Sequence, residues 1–162
     1  MSADIYAVLD SLGIAYTRTD HEAAFTVEQA DHLYGHVPGV HSKNLFLRNK
    51  KGDVHYLVVV RSDKRVDLKA LRAVVDESTL SFASPERLMK YLGVIPGSVT
   101  PLGLIHDTAH TVRVMVDRDV MAAEQVNFHP NVNTATLTLA RADFERFLAH
   151  CGNPMCIVEI PQ

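Results

Sequence analysis

Apolar residues at Ile5, Val8, Leu9 and Leu12 recur at the spacing of one helical face, with Ser2 placed to cap the start and Gly13 the exit. A short strand is expected at Ile14–Tyr16. Thr26 followed by Gln29 makes a capping box for a second helix that runs toward Tyr34 and ends at Gly35 and Pro38. Asn44–Arg48 and Val54–Val60 read as strands joined through Asn49-Lys50-Lys51-Gly52, where the glycine supplies the positive φ of a hairpin. The run Tyr56-Leu57-Val58-Val59-Val60 does not alternate, which predicts a central strand covered on both faces.

Asp67 and Ser84-Pro85 open two more helices, through Val75 and through Leu92, the second closing at Gly93. Between them Thr79–Phe82 is a short strand. Gly93–Gly103, with two prolines and three glycines, is expected to be a loop with fixed turns. Alternation at Val112, Val114 and Val116, and of Thr134, Thr136 and Thr138 with Ala135, Leu137 and Leu139, predicts two half-buried strands. Phe144, Phe147, Leu148 and Cys151 line a last helix, and Ile157–Ile160 forms a closing strand. Strands in runs, broken by helices without a strict βαβ rhythm, give an α+β class with a mixed sheet.

The 162 residues are 47% hydrophobic and 22% charged, the balance of a soluble globular chain, and their number suits one domain over 1–162. No stretch approaches the roughly 18 apolar residues of a membrane span. The start carries acids where a signal peptide needs a basic region, so a cytoplasmic protein with no membrane partner is expected. Cys151 and Cys156 lack CxxC spacing and should be reduced thiols. A net charge of −3 argues against a general polyanion binder, yet nine of the sixteen basic residues fall between Lys43 and Arg72 against three acids. That segment carries +6 and the rest of the chain −9. It is either a solvated face or a patch for a phosphate-bearing ligand.

GxGxxG, GxxxxGK[ST], GxSxG and HExxH are all absent, which removes the usual signatures of dinucleotide, P-loop, α/β-hydrolase and zincin chemistry. The histidines His32, His36 and His41, and the pair His106 and His110, lie beside no Cys or Glu at metal-ligand spacing and read as surface or capping residues. No metal and no cofactor are expected. Three segments combine polar residues with conformational constraint. They are His41-Ser42-Lys43-Asn44-Leu45-Phe46-Leu47, Gly97-Ser98-Val99-Thr100-Pro101, and Asn127-Phe128-His129-Pro130 leading into Asn133-Thr134-Ala135-Thr136.

Together these segments resemble the insertion-type editing domain of bacterial prolyl-tRNA synthetase and its free-standing trans-editing relatives, most closely the Ala-tRNA(Pro) deacylases, over nearly the whole chain. The resemblance implies a mixed, largely antiparallel, barrel-like β-sheet surrounded by helices. It also implies hydrolysis of the ester that joins a small amino acid to tRNA(Pro), with Lys43 essential, the Gly97-x-x-x-Pro101 loop holding the aminoacyl group, and His129 lining the pocket. Lys43 and Asn44 are the catalytic candidates; Phe46, Gly97, Ser98, Val99, Thr100, Pro101 and His129 are the substrate-binding ones. An activated ester needs no covalent nucleophile, only a positioned water and stabilised charge. Lys43 suits either the carbonyl oxygen or the terminal phosphate, and the base is either the substrate's 2′-hydroxyl or His129. Lys50, Lys51, Lys64, Arg65 and Lys69 are expected to contact tRNA phosphates, with prolyl-tRNA synthetase or an elongation factor as transient partners. The competing readings are a Cys-tRNA(Pro) or other small-residue deacylase, an idle tRNA- or synthetase-binding module, and a small-molecule binder unrelated to tRNA.

Overall fold

The unalternated run Tyr56–Val60 lies in a strand buried on both sides, in a computed structural model that describes residues 4–24 and 26–162. Along the chain the elements are α1 (Ile5–Ser11), β1 (Thr17–Asp20), α2 (Val27–Tyr34), β2 (Val40–Asn49), β3 (His55–Arg61), α3 (Leu68–Val74) and β4 (Leu80–Phe82). There follow α4 (Pro85–Leu92), a 3-10 helix (Pro101–His106), β5 (Arg113–Asp117), α5 (Arg118–Met121), β6 (Gln125–Phe128), β7 (Ala135–Ala140), α6 (Arg141–Cys151) and β8 (Met155–Val158).

The strands form one sheet in the order β1-β7-β6-β2-β3-β5-β8, with β4 added against β2. β1/β7, β6/β7, β2/β3 and β2/β4 pair antiparallel, while β2/β6, β3/β5 and β5/β8 pair parallel. This is the mixed α+β sheet that the sequence predicts, with four antiparallel and three parallel pairings rather than the largely antiparallel sheet the resemblance implied. The period of two along β3 sends Leu57 and Val59 into one apolar cluster and Tyr56, Val58 and Val60 into the other. β5 divides likewise, Val114 and Val116 to the first cluster and Met115 to the second. Helices α1, α4 and α6 cover the first cluster through Leu9, Leu92, Phe144 and Phe147.

The helix signals are local and hold. Thr26 accepts the N–H of Gln29 at 3.1 Å, Asp67 accepts those of Lys69 and Ala70, and Ser84 that of Arg87. Ser2 lies outside the described residues; Asp4 caps α1 by accepting the N–H of Tyr6. Gly52 has φ +72° in the turn between β2 and β3, as a hairpin requires.

Other expectations are corrected. The first strand is Thr17–Asp20, not Ile14–Tyr16: Ile14 is buried in the core, and pairing with β7 selects the polar segment after it. The last strand is Met155–Val158, because its parallel register with β5 begins at Val114 and Met155. Ile160 is still buried, but beyond the strand. Part of the Gly93–Gly103 loop is the start of the 3-10 helix. There Gly103 has an ordinary φ, and a Cβ on it would lie 2.8 Å from the Leu92 carbonyl oxygen, so this glycine serves close packing. β6 and α5 were not predicted; β6 contains Asn127, whose buried side chain stands where an apolar residue is expected.

Asn127 fastens the sheet near the site. Its Nδ2 donates to the carbonyls of Pro38 (2.9 Å) and Val40 (3.2 Å), and its Oδ1 accepts from Thr138 Oγ1 at 2.6 Å. The start of β2 is thereby held to β6. That contact ends at His41, β3 pairs with β2 from Ser42 onward, and β4 joins only at Leu47. From Ser42 to Leu45 one edge of β2 therefore has no strand beside it.

Candidate active site

A cavity of about 560 Å³ opens along that unpaired edge, within the range of about 300–1,000 Å³ usual for small-ligand sites. Its walls come from β2 (His41, Ser42, Lys43, Asn44), from the turn after β3 (Ser62, Asp63), from Gly97 and Val99, from His129, and from α2 with the residues before it, including Asp31 and Tyr34. The structure thus brings five of the predicted site residues to one place: Lys43, Asn44, Gly97, Val99 and His129. They derive from three segments far apart in sequence.

Asn44 joins two of these segments. Its Nδ2 donates to the Val99 carbonyl at 3.0 Å and its Oδ1 accepts from Ser42 Oγ at 3.2 Å, so the side chain fixes the loop against β2. Gly97 has φ +91°, a conformation that favours glycine, and a Cβ there would meet only Asn133 Nδ2 at 3.5 Å. Lys43 has no ion-pair or hydrogen-bond partner among the described residues, which leaves one uncompensated cation on the cavity wall.

His129 follows β6, and its Nδ1 lies 2.9 Å from the Ala135 carbonyl. A carbonyl only accepts, so the proton sits on Nδ1 and Nε2 carries the lone pair, 3.5 Å from the Tyr34 hydroxyl. Burial pushes the ring below the ordinary histidine pKa; the Ala135 hydrogen bond opposes this and nearby His21 adds to it. The neutral form is the resting one. Tyr34, whose own pKa burial raises, is the hub of an aromatic group: His21 stacks on it at 4.2 Å, His129 meets it edge-on at 5.8 Å, and His41 lies at 6.0 Å. Sequence reasoning missed Tyr34 and treated His41 as a surface or capping residue. His41 instead lines the cavity, with Nε2 donating to the Val37 carbonyl at 2.9 Å. Nothing in the local pattern marks this group, because its members meet only through tertiary packing.

Four expected binding residues do not line the cavity. Phe46 is buried in the core, stacked on His55 at 5.4 Å, beyond the stretch of β2 that borders the cavity. Ser98 and Thr100 are buried in the loop: the Ser98 N–H donates to the Ile95 carbonyl, and Thr100 Oγ1 caps the 3-10 helix by accepting the N–H of Leu102. Pro101 opens that helix, also buried. These three shape the loop that presents Gly97 and Val99.

The basic segment is also rearranged. Lys50 and Lys51 are exposed on the turn before β3, and Arg65 and Lys69 are exposed beyond its other end, roughly 20 Å away along a seven-residue strand. Lys64 is not available to a phosphate. It is 5% exposed, and its Nζ lies 2.9 Å from Asp117 Oδ1 and 2.7 Å from Asp119 Oδ2. Burial alone would lower its pKa, but the hydrogen bonds to Asp119 and Asp117 hold it above the usual lysine value. Asp117 Oδ2 also accepts the Arg61 N–H, and the Ser62 N–H donates to the His41 carbonyl. The ion group thus anchors the Ser62–Asp63 wall of the cavity.

A covalent nucleophile requires a base within hydrogen-bonding reach. Ser42 donates to Asn44, and the Nε2 of neighbouring His41 is engaged by a carbonyl. Neither cysteine lines the cavity; burial pushes the Cys151 thiol up to about 12. Among the described residues, no group of three or more His, Cys, Asp or Glu converges as a metal site, and no helix is long and apolar enough to cross a membrane. Among the described residues the cleft thus presents a lone lysine, and neither Ser42 nor a cysteine is paired there with a free base.

Residues 21–147 match the family model of the aminoacyl-tRNA editing domain, and the chain belongs to that family. It is an enzyme of the hydrolase class that acts on aminoacyl-tRNA esters. The chain is 38% identical over 156 residues to the prolyl-tRNA editing protein ProX of Acetoanaerobium sticklandii, covering 96% of this chain and 95% of that protein. It is 37% identical over 142 residues to the prolyl-tRNA synthetase associated domain-containing protein 1 of Danio rerio, covering 86% and 77%. A solved structure of a candidate trans-editing enzyme for prolyl-tRNA synthetase has the same fold, with TM-score 0.72 at 23% identity over 100% of this chain and 99% of that one.

Proposed function

We propose that the chain, as a single editing domain over 1–162, acts in trans to hydrolyse the ester of tRNA(Pro) mischarged with a small amino acid, alanine foremost. The observation that carries this reading is the meeting of Lys43 and the Gly97–Val99 wall at the open edge of β2, with Asn44 holding loop to strand at 3.0 Å. Lys43 supplies positive charge to the ester carbonyl or to the terminal phosphate. Asn44 acts as a positioning residue, since both of its polar groups are used within the protein. His129 is a neutral wall residue whose Nδ1 proton is committed to Ala135. The substrate's own 2′-hydroxyl then guides the attacking water.

Selectivity follows from size. A synthetase pocket built for proline gains only about 1–3 kcal/mol against a smaller side chain per missing methylene, so alanine is charged in error. A second cavity that admits alanine and excludes the proline ring removes the error. The partner is mischarged tRNA(Pro), met in the cytoplasm free or as it leaves the synthetase or passes to an elongation factor. The test is hydrolysis of tRNA(Pro) esterified with Ala, Cys, Ser and Pro. Cleavage of the alanyl ester with the prolyl ester spared supports the proposal. Preference for cysteine would move the assignment to that substrate, and equal cleavage of proline would end the sieve.

A further inference from the structure

The cations around the turn between β2 and β3 come from two separate segments, of which the sequence placed only one in a basic patch. Arg48 lies near the end of β2, and Arg87 and Lys90 lie on α4. A Cβ built on Gly52 would sit 2.8 Å from one terminal nitrogen of Arg87, 3.0 Å from the other, and 3.0 Å from a terminal nitrogen of Arg48. Both guanidinium groups therefore gather over one glycine. Arg87 Nη1 donates to the Gly52 carbonyl at 2.8 Å and to His55 Nε2 at 3.1 Å.

His55 is buried between Phe46 and Tyr91, with ring centroids 5.4 Å and 4.3 Å away. Burial, then the charges of Arg87, Arg48 and Lys90, keep it neutral, so it accepts from Arg87 and orients it. Lys90 lies 5.3 Å over the Tyr91 ring. Neither Arg48, Arg87, Lys90 nor the turn lysines Lys50 and Lys51 form an ion pair among the described residues. The acids adjacent in sequence form no ion pair with them among the described residues: Asp53 accepts from Asn49 Nδ2 at 2.8 Å and feels the charge of Lys51 only at a distance, and Glu86 is exposed. Like charges held this close without a counterion cost energy, which an anionic ligand would offset.

We propose that Arg48, Arg87 and Lys90, with Lys50 and Lys51 beside them, form a binding site for a backbone phosphate of the tRNA. Guanidinium forks match phosphate oxygens two at a time, and the lysines add unspecific charge. Lys43 and Arg48 are five residues apart on one extended strand, roughly 17 Å. With the esterified adenosine at Lys43, the phosphate held at Arg48 belongs to a nucleotide several positions upstream. The site therefore grips the tRNA backbone without reading bases. This rests on the deacylase reading, which names the ligand.

The experiment measures binding of uncharged tRNA(Pro) at several salt concentrations by the parent, Arg48→Gln, Arg87→Lys and the Arg48→Gln/Lys90→Gln double variant. Arg48 has no side-chain hydrogen bond among the described residues, so its replacement removes charge and leaves the turn intact; thermal unfolding checks this. Each lost phosphate contact should lower the slope of log K against log salt by about 0.7–0.9. Arg87→Lys keeps the charge and loses the fork, so it should weaken binding with the slope retained. A folded Arg48→Gln variant with the parent's affinity and slope overturns the site. Failure of the parent to cleave any mischarged tRNA(Pro) overturns the deacylase reading instead, and the two failures are read in different assays.

Discussion

Replacing Lys64 by methionine removes a buried ammonium while keeping most of the side-chain volume. Asp117 is 0% exposed and would keep only the N–H groups of Arg61 and Asp119, each at 3.0 Å, for its ionised carboxylate. Removing one partner of a buried ion pair costs about 3–5 kcal/mol because the other charge stays in the interior. The two remaining donors, and an Asp119 side chain 45% exposed to water, place this case at the lower end, about 3 kcal/mol. For a chain of this size that is a fall in Tm of roughly 6–12 °C. Thermal unfolding measures it, and the double variant Lys64→Met/Asp117→Asn should recover part of the loss by removing the stranded charge. Salt-dependent tRNA binding by the single variant completes the assay. If Lys64 met a phosphate, Tm would stay within about 2 °C of the parent and the slope of log K against log salt would drop by about 0.7–0.9. That pair of results would refute the internal role.

Lys43→Ala should reduce deacylation by at least about a hundredfold, the order seen when one preorganised charge-stabilising donor is lost, with Tm nearly unchanged because the Lys43 side chain makes no ion pair or hydrogen bond among the described residues; single-turnover hydrolysis checks this. Gly97→Ala should destabilise the loop by about 1–3 kcal/mol through its positive φ rather than by collision, since the nearest atom to the new Cβ is at 3.5 Å; kcat/KM on the alanyl ester should fall with it. His129 should titrate below about 6.5 by NMR, and a midpoint at or above that value would contradict its burial. Its depressed value means the unfolded chain binds more protons between the folded midpoint and about 6.5, so stability should decline as pH falls through that window.

Local signals determined much of this protein in advance. Thr26, Asp67 and Ser84 announced their helices because a cap needs only the residues beside it, and Gly52 announced its turn because positive φ is a property of one residue. The run Tyr56–Val60 announced a strand between two cores, since only burial on both faces tolerates apolar side chains without alternation. The segments around Lys43, Gly97 and His129 were legible as chemistry through their resemblance to a family, and the fold places all three at one cavity. What the sequence could not carry is the pairing of distant segments. β1 and β8 shifted because register with β7 and β5, not local propensity, sets where a short strand begins. Lys64 sits in the basic run yet points inward, because Asp117 and Asp119 lie more than fifty residues away and only the β3–β5 pairing brings them together. Tyr34, His41 and His129 meet for the same reason, through the contact of β2 with β6 that Asn127 fixes. Charge and hydropathy are written along the chain, whereas a cavity is the space between segments whose separation only the register of the sheet fixes.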